Sequence, residues 1–123
     1  MANAFKLKTF SAVYGAGGSG TAADTAMTVY TGKPSTETTI IGMSIANIST
    51  SQILVSVNIE SDTSDSEVNK NVFVIKDAPI PVGGTLVPIG GDQKVVLLAT
   101  DVLKVTSDTA NSADTTLSIL EIS

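Results

Sequence analysis

The chain has 123 residues, 42% of them hydrophobic and 15% charged, with 12 acidic and 7 basic side chains and a formal net charge of −5. That is the apolar content of one folded domain rather than of a disordered segment, and a length near the modal domain size buries roughly two-thirds of its unfolded surface without metals or disulfides. Histidine, cysteine, tryptophan and arginine are absent, which argues against an enzyme and, with the acidic balance, against DNA or RNA, whose phosphates draw on clustered lysine and arginine.

The first residues, Met1-Ala2-Asn3-Ala4-Phe5-Lys6, carry no long apolar stretch with a cleavage site behind it, and no run anywhere approaches the ~20 apolar residues that span a bilayer. The expectation is a soluble, unprocessed chain that does not enter a membrane. Residues 4–10 alternate apolar side chains with lysines. As a strand they have an apolar face of Phe5, Leu7 and Thr9 and a cationic face of Lys6 and Lys8. Such a segment can add to a sheet edge, in its own domain or on a neighbouring chain. Phe5, Lys6, Leu7, Lys8 and Phe10 are therefore the candidate interaction residues.

Residues 15–26 have almost no large side chains and read as a flexible connection between this arm and the body. The predicted organisation is an arm and linker over 1–26 and a body over 27–123, within a single domain. In the body, valine, isoleucine and threonine are abundant, and apolar residues recur with period two. Strands are predicted at 27–31, 38–48, 53–60, 71–76, 85–89, 94–98, 102–107 and 115–122. In the third of these Ile53, Val55, Val57 and Ile59 share one face. Turn chemistry separates them at 31–35, 49–51, 81–84, 90–92 and 108–112, and the acidic stretch 61–67 reads as an exposed hairpin loop. The fold class is all-β, an antiparallel two-sheet sandwich of the jelly-roll or immunoglobulin-like kind, and the pattern does not choose between them.

Four motifs bear on chemistry. Gly15, Gly17 and Gly20 match the spacing of a dinucleotide-binding turn, but no amphipathic helix follows and no βαβ unit can be assembled. Asp62, Asp65 and Glu67 miss the positions of a calcium loop. Serine and threonine hydroxyls lack a base other than lysine, and Lys76, Lys94 and Lys104 read as surface lysines lying along strands. Asn47-Ile48-Ser49 is a glycosylation sequon only in a secreted eukaryotic setting, which nothing else supports. Phe73 is expected in the core, and Tyr30 half-buried with its hydroxyl in water. No catalytic residue, cofactor or metal is predicted.

Three stretches together carry a resemblance: Thr25-Ala26-Met27-Thr28-Val29-Tyr30-Thr31, Lys76-Asp77-Ala78-Pro79-Ile80-Pro81-Val82-Gly83-Gly84, and Asp101-Val102-Leu103-Lys104-Val105-Thr106-Ser107-Asp108-Thr109-Ala110, closed by Leu117-Ser118-Ile119-Leu120-Glu121-Ile122. The chain resembles the small virion structural proteins of tailed bacteriophages infecting cyanobacteria and other marine bacteria. That resemblance implies a capsid decoration (cement) protein made in the host cytoplasm and resident in the virion. It also implies a homo-oligomer, for instance a trimer, with other virion proteins as partners and the major capsid protein first among them. The alternatives it leaves are a neck, tail or fibre component, including a receptor- or carbohydrate-binding module.

Overall fold

The computed structural model describes residues 3–13, 20–61, 71–90 and 93–123. Among them there is no helix, and the strands in chain order are β1 (Asn3–Phe10), β2 (Met27–Thr31), β3 (Glu37–Asn47), β4 (Ile53–Glu60), β5 (Asn71–Ile80), β6 (Thr85–Ile89), β7 (Val95–Leu97), β8 (Val102–Ser107) and β9 (Ala113–Ile122). The largest departure from the expected boundaries is β5, which continues to Ile80 through bulges against β4. Asp77 turns the strand there, at φ 52, and donates its amide to the Ser56 hydroxyl at 2.9 Å.

Two antiparallel sheets form the sandwich. One has the order β1-β9-β3-β6 with β7 also on β3, and the other the order β2-β8-β4-β5. Both β6 and β7 run antiparallel to the same edge of β3, β6 over Met43 to Ala46 and β7 over Thr38 to Ile40. They are one interrupted strand, so each sheet has four strand positions. Apart from β4–β5, successive strand positions fall in opposite sheets, which is jelly-roll wiring rather than the in-sheet neighbours of an immunoglobulin fold. The topology thus makes the choice that periodicity leaves open.

The core lies between the sheets and is filled by alternate residues of the central strands: Ile40, Met43 and Ile45 of β3, Ile53, Val55 and Val57 of β4, Leu103 and Val105 of β8, and Leu117 and Ile119 of β9. Each large aliphatic side chain buried there contributes about 1.5–3 kcal/mol. The turns behave as their residues require. Gly83, at φ 74, closes a type II turn in which Gly84 donates its amide to the Pro81 carbonyl at 2.9 Å. Gly32 exchanges backbone hydrogen bonds with Asp101 and Thr100 and lies so close to the Leu98 carbonyl that any Cβ would collide with it.

The arm is not set apart from the body. β1 pairs with β9 of its own chain along its full length, from Asn3↔Ile122 to Phe10↔Thr115, and forms one edge of the five-stranded sheet. Residues 15–19 of the glycine-rich connection lie outside the described residues. Residues 20–26 are anchored rather than free: Thr21 donates its amide to Asn111 Oδ1 at 2.8 Å, and Asp24 donates its own to the Ser107 carbonyl at 2.8 Å. Residues 62–67 of the acidic stretch, with Asp62, Asp65 and Glu67, and the Gly91-Asp92 turn also lie outside the described residues.

Candidate interaction surface

The pleat of β1 divides the five candidate residues between two faces. Lys6, Lys8 and Phe10 pair with Ile119, Leu117 and Thr115 of β9, all buried residues, and turn toward the inside of the sandwich. Phe5 and Leu7 pair with Leu120 and Ser118 and turn outward, 77% and 66% exposed. From Phe5 to Lys8 the strand is amphipathic in the inverse sense, with Lys6 and Lys8 inward and Phe5 and Leu7 in water.

The inward lysine has a specific reason. Glu121 of β9 is buried, and its Oε1 accepts from Lys6 Nζ at 2.7 Å and from Lys33 Nζ at 3.3 Å. Oε2 accepts the Tyr30 hydroxyl at 2.7 Å, which commits the phenolic proton, so the Thr38 hydroxyl at 2.9 Å donates to the Tyr30 oxygen. The Lys6 ammonium, the Tyr30 hydroxyl and Lys33 hold the Glu121 carboxyl down at about 2, and the bond to Glu121 raises the Lys6 ammonium. Burial pushes the Tyr30 phenol up. The expectation of a wet Tyr30 hydroxyl is thus corrected: the ring is buried because a carboxylate inside the sandwich receives its proton. The network ties β1, β2 and β3 to β9 through charge-assisted hydrogen bonds, leaving the carboxylate paired rather than stranded.

On the outer face of this sheet the side chains are apolar or small. Across the ladders they are Asn3, Phe5, Leu7 and Thr9 of β1, Thr116, Ser118, Leu120 and Ile122 of β9, Thr39, Ile41, Gly42, Ser44 and Ala46 of β3, and Thr85, Val87 and Val96 of β6 and β7, with the polar Asn3 at one corner. Val87 and Val96 are 61% and 56% exposed. Among the described strand residues of this face, charge occurs at Glu37 and at Asp114, near the two ends, and Asp114 accepts the Ala12 amide at 2.8 Å; the exposed Lys94 precedes β7. This contiguous face with large apolar side chains standing in water is the candidate interaction surface, unlike apolar residues scattered singly.

The outer face of the other sheet carries charge on its central strands beside the exposed Leu54 and Phe73. Lys104 and Glu60 pair at 2.9 Å, and Asn58 lies opposite Lys104 in the ladder. Phe73, expected in the core, is 53% exposed on this face because its register partner is the outward Asn58, and Lys76 Nζ sits 4.7 Å from its ring centroid as a cation–π cap. The Asn47 side chain of the sequon is buried and donates to the Ser51 and Ile80 carbonyls, both at 2.9 Å, so its amide is spent on the fold.

Among the described residues no three acidic side chains gather to hold a metal ion. The small cavity beneath Phe10, lined also by Met27, Val105 and Thr115, has about 20 Å³, room for one water near the otherwise unpartnered Thr115 hydroxyl.

Sequence reasoning found β1 and missed the surface it belongs to. The signal is present in β9, where Glu121 has the parity of the buried Leu117 and Ile119 while Leu120 and Ile122 share parity with Thr116 and Ser118. No protein-family model matches the chain, and no curated protein sequence matches it either.

Proposed function

We propose that the protein is a non-catalytic structural component of a virion, a capsid decoration protein that binds the major capsid protein and stabilises the assembled shell. The observation that carries this reading is β1. It is an eight-residue edge strand with regular pairing along its whole length, and it turns Phe5 and Leu7 to solvent while Lys6 is held from beneath by Glu121. Sheet edges are ordinarily guarded by proline, bulges, short length or outward charge. β1 has no proline and no bulge; its guard is the inward-pointing lysines, of which Lys6 is paired with Glu121, and its unpaired side is a template for strand addition by a neighbouring protein.

Three further points support the reading. The chain lacks histidine, cysteine and arginine, which suits a part that fits against other proteins rather than one that transforms a substrate. Its likeness to phage virion proteins supplies the class of partner. Jelly rolls recur in capsid domains, although the same architecture serves lectins, so the surface and not the fold carries the argument. Binding to the assembled lattice and not to free subunits stabilises the shell by mass action.

The test is occupancy on heads stripped of the protein. Deleting residues 2–14 removes β1 and leaves the core cluster intact, because no member of that cluster comes from β1. The truncated chain, its fold checked by circular dichroism, is expected to bind at least about tenfold more weakly than the full chain. Equal occupancy excludes β1 as the docking strand. Binding of the full chain to tails and not to heads replaces the decoration role with a neck, tail or fibre role, and binding to neither removes the virion reading.

A further inference from the structure

The outer face of the five-stranded sheet has relief as well as apolarity, and the relief matches itself. At one margin Phe5 and Leu7 stand up along β1. Toward the other margin lies a groove of about 300 Å³ lined by Ile41, Gly42, Ser44, Val87, Thr116 and Ser118. Two irregularities open it: β3 carries an extra residue between Ile40 and Gly42, and β6 is bulged where it faces Met43 to Ile45. Gly42 adds no side chain. A Cβ built there meets only the Ile89 carbonyl oxygen, at 3.8 Å, so the space above it is open.

The ladders place ridge and groove at the same height. Leu7 is level with Ser118, which is level with Gly42, while Phe5 is level with Leu120, Thr39 and Val96. Across the strands the ridge and the groove floor on β3 are two strand spacings apart, about 10 Å. A second copy turned over about a two-fold axis running along β9 keeps the height and exchanges the margins. Leu7 of each copy then enters the groove of the other above Gly42, and Phe5 lies against Thr39 and Val96. The facing sheets run aligned, the usual arrangement of sheets packed face to face, and the contact is isologous, each residue meeting the same pair in both copies.

Charge and area favour a second copy as the occupant. The chain carries a net charge of −5, yet among the described strand residues of this face the carboxylates are Glu37 and Asp114, near opposite ends, so the stretch over Leu7, Ser118 and Gly42 brings no two acids together. Four strand positions about 4.8 Å apart and roughly eight residues long present roughly 500 Å² in projection, which standing side chains raise toward the ~800 Å² that each partner gives a stable interface.

We infer that this face is where two copies of the chain associate, as a two-fold dimer with Leu7 of each copy seated at Gly42 of the other. The inference is independent of which particle the protein sits on, and its test uses the purified full-length chain alone. Sedimentation over two decades of concentration is expected to show a monomer–dimer equilibrium. Leu7→Asp, which would bury an unpaired charge, and Gly42→Leu, which fills the groove, are each expected to weaken it by at least about 100-fold. Phe73→Ser on the opposite sheet is expected to leave it unchanged. Gly42→Leu is the deciding variant should Leu7→Asp perturb β1, because the space over Gly42 admits a side chain without disturbing the monomer, as an unchanged circular dichroism melt would verify. A wild type that stays monomeric throughout, a trimer, or a dimer indifferent to Gly42→Leu overturns the inference.

Discussion

The two outer faces of the sandwich are built by the same strand chemistry and differ in where they put charge. On the four-stranded sheet the acid–base pair Glu60–Lys104 stands outside, at 2.9 Å, beside Asn58 and a Phe73 capped by Lys76. On the five-stranded sheet the acid of the cluster, Glu121, is buried with Tyr30 and takes up the partly exposed Lys6 and Lys33, and Phe5 and Leu7 of β1 lie outside. One face keeps a charge pair in water beside the exposed Leu54 and Phe73. The other has its polar groups spent on holding an edge strand in place, and the apolar surface this leaves outward is available for a protein partner.

The largest effect expected from breaking that contrast is at Glu121. Glu121→Ala strands the Tyr30 hydroxyl proton and releases both lysines, so stability should fall by about 2–3 kcal/mol, measured by urea denaturation. The pH dependence follows from the same group. Its folded pKa of about 2 lies below the ordinary 4.5, so its stabilisation is fully present above pH 4.5 and is lost as the pH falls toward 2. Wild type should therefore lose more stability than Glu121→Gln across that window; an equal loss in the two proteins would mean that the inner cluster does not govern acid stability.

The outer pair should matter less. Glu60→Gln is expected to cost about 0.5–1 kcal/mol, and raising the salt should erase most of the difference, since Lys104 and Glu60 are 23% and 36% exposed. Phe73→Ala should cost a similar or smaller amount through loss of the cation–π contact. Smallest of all is Phe5→Ser, expected to leave the melting temperature of the monomer within a degree or two while raising its solubility, because Phe5 gives the fold almost no buried surface. A large loss of stability at Phe5 would mean that the outward face belongs to the fold and not to a contact.

Most of the strand pattern is legible in the sequence, because a side-chain period of two shows wherever one face is buried. Ile53, Val55 and Val57 are the clearest instance, and all three are at most 1% exposed. Phe73 and Tyr30 show where the reading fails. Burial of an aromatic ring depends on the register of its strand and on what lies across from it: Asn58 puts Phe73 outside, and Glu121, 91 residues from Tyr30, puts that ring inside. The surface is hidden for the same reason, since Phe5, Leu120, Thr39 and Val96 come from four separate stretches of chain and meet only through ladder pairings.

What the sequence determined by itself is local: where strands run, where turns fall, that β1 alternates lysines with apolar residues, and that histidine, cysteine, tryptophan and arginine are absent. Which face of β1 turns inward was decided by tertiary structure, because a buried carboxylate on β9 binds Lys6 more favourably than water does only once the sandwich has closed over it. The wiring of the jelly roll, and the assembly of this outer face from β1, β9, β3, β6 and β7, were decided there too, since long-range pairing depends on which edges meet and no local propensity encodes it.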